Sequence, residues 1–215
     1  VHQYCKGHPW ARFGIDLCIG SEADQPITQR QMMFAPFYLM DAFDGAQIKG
    51  DSIQRPLITA NELVVDATPE PDESDWMPTP LQCSLLLFIL TAAATIYGIR
   101  RRTGLWGIDL FLFGIAGIVG CVLAFLALFS QHPAVSSNFL LLVFHPGQLL
   151  FLPYIIYCVR KGKKCWYLTL NLAVLTLFIV LFPVIPQRFD FAVVPLALVL
   201  LIRSASNLIV TSKKK

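Results

Sequence analysis

From residue 81 onward the chain alternates long apolar stretches with short polar connections; before residue 81 it shows no such rhythm. The apolar stretches are 81–99, 105–129, 139–159, 165–186 and 191–210, each 19 to 25 residues long. An α-helix rises about 1.5 Å per residue, so about 20 apolar residues cross a hydrocarbon layer of ~30 Å. Lipid offers the backbone no hydrogen bonds, and a helix satisfies its own. The pattern predicts an all-α polytopic membrane domain of five transmembrane helices over 81–215. Buried helices of a soluble protein are the competing explanation, and five such runs with so few charges weigh against it.

Residues 1–65 read as the end of a mixed extracytoplasmic domain. The apolar stretch from Phe13 to Gly20, closed by glycine, predicts a strand or tight turn. Thr28 with Gln31 three residues on forms a capping-box signature for a helix from Gln29, and Pro36 suits the first position of a second helix. Met33, Phe37, Met40 and Phe43 recur at helical spacing, giving an apolar face for a domain core or for the membrane surface. Residues 66–80 hold four prolines and five acids; such a segment buries little and reads as a linker.

Composition sharpens this picture. Hydrophobic residues make up 55% and charged residues 14% of the chain, and the mean hydropathy is +0.60. Residues 1–80 carry twelve acids against five bases, and residues 81–215 carry twelve bases against two acids. The bases cluster in connections between apolar runs, which excludes a nucleic-acid-binding reading. Arg100 to Arg102, Arg160, Lys161, Lys163, Lys164 and Lys213 to Lys215 fall on one side, and only Arg188 on the other. The positive-inside bias then puts the C-terminus in the cytoplasm and residues 1–80 outside, in a multi-pass protein of the cytoplasmic (inner) membrane. Trp76, Trp106, Trp166 and Tyr167 sit near predicted boundaries as interfacial rings, and imply no cofactor. With no signal segment before the polar part, the chain reads as the remainder of a longer protein. Four cysteines lie in or beside apolar runs as buried hydrophobes. Cys5 and Cys18 are able to pair in an oxidising compartment. His2, Cys5 and His8 have a near-metal spacing better read as a frayed terminus, so no metal is expected.

Several positions stand out chemically. Gly114, Ala116, Gly117 and Gly120 put small residues on the second run, where they allow close helix approach. His145-Pro146-Gly147-Gln148 interrupts the third run and predicts a kink; polar groups at such depth usually have a reason. With His132, Asn138 and Arg188, His145 and Gln148 are candidate outer-rim contacts for lipid or substrate. For His145, a satisfied interhelical histidine is the alternative. Arg203 in the fifth run either snorkels to inner head groups or pairs with Asp109. No serine-hydrolase elbow, phosphate loop, dinucleotide fingerprint or zinc-protease motif occurs.

Two stretches carry a resemblance. The first runs from Trp10-Ala11-Arg12-Phe13-Gly14-Ile15-Asp16 through Gly20 and Ala23-Asp24 to Met33–Phe43. The second joins Phe129–Pro133 to Asn138–Leu142 and Phe144-His145-Pro146, with Pro195–Leu198 and Ile202-Arg203-Ser204 continuing it. In these the chain resembles the Lnb-like (DUF4105) family, with Trp10, Phe13, Gly14, Asp16, Gly20 and Asp24 as family-like motif residues. The resemblance implies an extracytoplasmic domain joined to a five-helix membrane domain, and lipoprotein intramolecular transacylase chemistry. In that reaction an acyl chain moves from the glyceryl group of a lipoprotein to its N-terminal cysteine amine. It also implies a catalytic cysteine and histidine upstream of Val1. The partners expected are membrane lipids and membrane-anchored lipoproteins. The rival reading is a non-catalytic membrane anchor or interaction module, with a transporter less favoured.

Overall fold

In the computed structural model the residues described are 5, 7–50, 54–62, 64–65 and 77–212. Residues 1–24 and 76–215 form one unit and residues 25–75 a second. In the first unit, helix α1 (Pro9–Cys18) replaces the strand or turn expected at Phe13–Gly20. Pro9 supplies the favoured first helical position, and Trp10, Phe13 and Leu17 then share one face, a periodicity that a reading begun at Phe13 cuts short.

The second unit holds α2 (Gln29–Met32), α3 (Pro36–Asp44) and an antiparallel hairpin of β1 (Gln47–Lys49) and β2 (Gln54–Pro56), with Ile48 opposite Arg55. The Thr28–Gln31 capping box is formed, and Pro36 opens α3. Phe37, Met40 and Phe43 line an exposed face of α3. The linker expected at 66–80 falls mostly outside the described residues.

Within the helical unit, α4 (Pro80–Arg101) starts at a second capping box, in which Thr79 N–H donates to Gln82 Oε1 (2.9 Å) and Gln82 N–H to Thr79 Oγ1 (3.3 Å). Arg102 ends it in the left-handed conformation, φ 54°. Next come α5 (Trp106–Phe129), α6 (Pro146–Leu150), α7 (Leu152–Lys161), α8 (Trp166–Leu181) and α9 (Val193–Ser212). Helix α9 packs on α4 and α8, and α5 packs on α6 and α7.

Among the described residues α4, α5 and α9 are each long and apolar enough to cross a membrane, and a fourth span results if α7 and α8 count as one bent by 111°. The third apolar run is therefore not the uninterrupted helix expected over 139–159. It forms a 3₁₀ turn at Phe139–Leu142, then α6, then α7. Proline forces its predecessor out of the α region, and His145 is extended at φ −137°, ψ 151°. The predicted kink is a full break. The fourth run is helical for only 16 residues, because Pro183 and Pro186 follow at once.

Burial in α4 runs opposite to that of a soluble helix. Its buried residues include Ser84, Thr91, Thr95 and Gly98, whereas Leu85, Leu86, Ile89 and Leu90 face outward. On α5, Phe111, Ile115, Ile118, Val122 and Phe125 likewise face outward, while Ala116, Gly117 and Gly120 are buried. Large apolar groups outside and small or polar groups inside suit a lipid solvent. The packed interior between helices is built from Phe113, Leu123, Val143, Ile155, Leu168, Leu175 and Phe178.

Candidate functional site

Three polar networks organise the helical unit. The first seats α1 on the loops at one end of the bundle. A helix leaves its last carbonyls without partners. Here Asn138 Nδ2 donates to the Leu17 carbonyl (2.8 Å) and Gln187 Nε2 to that of Ile19 (3.0 Å). The two amides also hold each other, Gln187 Nε2 donating to Asn138 Oδ1 (3.2 Å). Asn138 Oδ1 also accepts from Leu140 N–H (2.9 Å), and Gln187 Oε1 accepts from Phe139 N–H (2.8 Å). Asn138 and Gln187 are both buried.

The chain leaving α1 continues this clamp. Gly20 N–H donates to the Ala134 carbonyl (2.8 Å) and Ser21 N–H to that of Ser137 (3.3 Å). A β-carbon on Gly20 would collide with the Ser136 carbonyl oxygen, so glycine is required there. Asp24 Oδ2 accepts from Arg188 N–H at 2.6 Å. Upstream, Trp10 Nε1 donates to the Pro78 carbonyl (2.8 Å) and its ring meets Phe13 edge-on. Asp16 is buried, 3.6 Å from Arg12 Nε. Of the six family-like positions only Gly14 lacks a packing reason, since a β-carbon there meets open space. His132 Nδ1 accepts from Ala134 N–H (3.2 Å) and caps the adjoining turn. Replacing Asn138 by alanine together with Gln187 by leucine strands buried carbonyls. Tryptic cleavage at Arg12 is expected to accelerate on the order of tenfold; cleavage at the parent's rate would show that the amides do not hold α1 down.

The second network runs through His145. Ser204 spends its hydroxyl proton on the Leu200 carbonyl (2.8 Å), so it accepts from Asn171, whose Nδ2 lies 3.0 Å away. That turns Asn171 Oδ1 toward His145 Nε2 at 3.3 Å, and His145 therefore donates from Nε2. The Tyr167 hydroxyl, 3.5 Å from the ring nitrogens, is left to donate to Nδ1. A ring that donates on one side and accepts on the other is neutral. Gly147 leaves room for this ring: a β-carbon there would lie 2.9 Å from Nδ1. Gln148 is fully buried and donates to the Val143 carbonyl (2.8 Å).

The structure thus separates residues that the sequence groups together. Asn138 and Arg188 join the α1 clamp, with His132 capping the turn beside it. His145 and Gln148 belong elsewhere, for Asn171 lies roughly 15 Å along α8 from its far end. Tyr167 is buried against His145 rather than anchored at an interface, while Trp106 and Trp166 are exposed.

The third network corrects the snorkelling reading of Arg203, which is 3% exposed. Its Nε and one terminal nitrogen grip both oxygens of Asp109 (2.7 and 3.0 Å), and the other terminal nitrogen donates to Thr95 Oγ1 (3.0 Å). One guanidinium thereby ties α9 to α4 and α5. One turn on, Asn207 accepts from Cys165 N–H (3.1 Å) and donates to the Lys163 carbonyl (3.2 Å). Sequence reading missed Thr95, Asn171, Gln187, Ser204 and Asn207; the signal was there in the helical spacing of Ser204, Asn207 and Thr211 within an apolar run.

No reactive pair emerges from these networks. Cys5 and Cys18 are free thiols, so the possible pairing is not formed here. Burial pushes the Cys18 thiol up, which lowers its thiolate fraction. Of the four cysteines expected to be buried, Cys158 and Cys165 are, whereas Cys83 is half-buried and Cys121 is exposed on the outward face of α5; no metal-ligand group occurs among the described residues.

Long helices with lipid-facing apolar residues, polar interiors and several crossings define a multi-pass α-helical membrane protein. A family model described as the Lnb transmembrane domain matches residues 72–215, and the chain belongs to that family. No curated protein and no solved structure matches the chain.

Proposed function

We propose that this chain is the membrane part of a lipoprotein intramolecular N-acyltransferase. In this reading an acyl ester on the glyceryl group of a membrane-anchored lipoprotein is exchanged for a thioester on an enzyme cysteine. The lipoprotein's N-terminal amine then attacks the thioester, forming an amide and releasing the thiol, while a histidine carries the protons. Neither the cysteine nor the histidine is assigned to the described residues; both are expected upstream of Val1. Five crossings are proposed, the third made by the 3₁₀ turn, α6 and α7 together. The membrane is the cytoplasmic one, with α1 on its outer side and the C-terminus in the cytoplasm.

The observation that carries the reading is the α1 clamp, in a chain of this family. A segment fixed to the bundle end by Asn138 and Gln187 would hold a preceding catalytic domain against the bilayer, where an anchored lipoprotein presents its ester. One observation favours the rival, a non-catalytic anchor: His145 is committed on both nitrogens to internal partners.

Lyso-lipoprotein formation by the full-length protein, read by mass spectrometry at matched abundance, separates the two. Activity is expected in the parent, and the Asn138→Ala, Gln187→Leu variant is expected to lose roughly tenfold or more of it while its helices melt as before. No product from the parent would leave the anchor. Undiminished turnover in the variant would remove the clamp from the account.

A further inference from the structure

Two basic corners far apart in sequence meet at one end of the helices. A β-carbon on Gly104 would lie 2.6 Å from the Val159 carbonyl oxygen, so the α4–α5 corner rests on the end of α7. The Arg160 guanidinium stacks 5.1 Å from the centroid of Trp106, the first residue of α5. On the next corner, Lys163 Nζ donates to the Tyr157 hydroxyl (3.0 Å) and lies 5.2 Å from that ring's centroid; this bond raises the Lys163 pKa. Arg100 to Arg102 thereby share a surface with Arg160, Lys161, Lys163 and Lys164.

Among the described residues none of these cations is in an ion pair. Between Asp109 and Asp190 the sequence contains no acid, and Asp109 is taken by Arg203. Beside the cations an open groove of about 520 Å³ runs along α7, lined by Pro153, Ile156, Tyr157, Arg160 and Lys161. Its polar end holds charge, and its other end offers proline and isoleucine.

We infer that this groove is a binding site for an anionic glycerophospholipid, whose phosphate sits among Arg160, Lys161 and Lys163 while an acyl chain lies along Pro153 and Ile156. Charge complementarity selects the occupant: the unbalanced cations want an anion, and the apolar strip wants a chain attached to it. Aromatic rings fix two of the cations in place, which reduces the ordering that binding costs. The inference is independent of any catalytic role.

The test uses the whole chain in detergent, titrated with phosphatidylglycerol or phosphatidylcholine and read by native mass spectrometry as retained lipid. Phosphatidylglycerol is expected to be retained on the order of tenfold more strongly, with the preference shrinking in high salt. Arg160→Gln with Lys161→Gln is expected to abolish that preference, Arg160→Lys with Lys161→Arg to keep it, and Arg55→Gln, at an exposed arginine of β2, to leave it unchanged. Equal retention of the two lipids by the parent overturns the proposal without any variant. So does a preference that survives the double neutralisation in chains with the parent's melting temperature. Displacement of the lipid by millimolar inorganic phosphate would likewise overturn it, by pointing to a free-phosphate site.

Discussion

Replacing Arg203 by methionine is expected to lower the melting temperature in detergent by roughly 10 °C, since removing one partner of a buried ion pair costs about 3–5 kcal/mol. Asp109 is 2% exposed, and without the guanidinium its carboxylate faces the interior with no cation. Arg203→Lys should fall nearly as far. Lysine places one point charge where arginine's planar fork serves Asp109 Oδ1, Asp109 Oδ2 and Thr95 Oγ1 together. Arg203→Met combined with Asp109→Leu should recover most of the loss, because a packed apolar pair avoids the desolvation that the ion pair carries. Fluorescence-detected size exclusion after a heating series reads all three. Parent-like melting of Arg203→Lys would return the residue to a snorkelling role.

The second large effect is expected at Gly120. A β-carbon there would stand 2.5 Å from the backbone nitrogen of His145, and one on Gly117 would collide with Leu149 N. Both obstacles are main chain and cannot rotate away, so alanine must push α6 off α5. Overpacking of this kind costs about 1–3 kcal/mol, and it also drags the His145 ring from Asn171. Gly114 supplies the comparison on the same helix. Its β-carbon would meet only the tip of Leu152, at 3.6 Å, and alanine there gains up to about 1 kcal/mol of helix propensity. Gly114→Ala should therefore melt at or above the parent and Gly120→Ala well below it. Equal melting of the two would mean that α5 and α6 do not approach this closely.

These two sites also show what the sequence conveys and what it withholds. The small residues of α5 are visible as a pattern, and so is the helix that carries them: 105–129 was read and Trp106–Phe129 is found. Apolar length and capping chemistry are local, which is why α4 and the Thr28 box were legible too. The partner of each glycine is not local. Nothing in the run 139–159 distinguishes a kink at Pro146 from a break that brings the His145 backbone onto Gly120. Arg203 and Asp109 lie 94 residues apart, and a lone arginine in an apolar run fits snorkelling and pairing equally until the fold brings a carboxylate to it. The α1 clamp was hidden for a related reason. Gln187 sits in a short loop where Arg188 draws attention, yet its neutral amide binds both Asn138 and the end of α1.

The shortness of α8 bears on the bilayer as much as on the protein. Sixteen residues span about 24 Å, against a hydrocarbon thickness of ~30 Å. Leu170, Leu177 and Val180 face outward along it, so lipid is in contact on that flank. Helices α4 and α5, at 22 and 24 residues, match the full thickness on theirs. The surrounding leaflets therefore meet two different heights around one circumference. Thinning the membrane beside α8 by several ångströms costs a fraction of a kcal/mol per Å, and it lowers head groups toward the midplane there. A lipid drifting into that dimple would have its head group drawn inward along one flank of the protein, a directionality imposed by helix length alone.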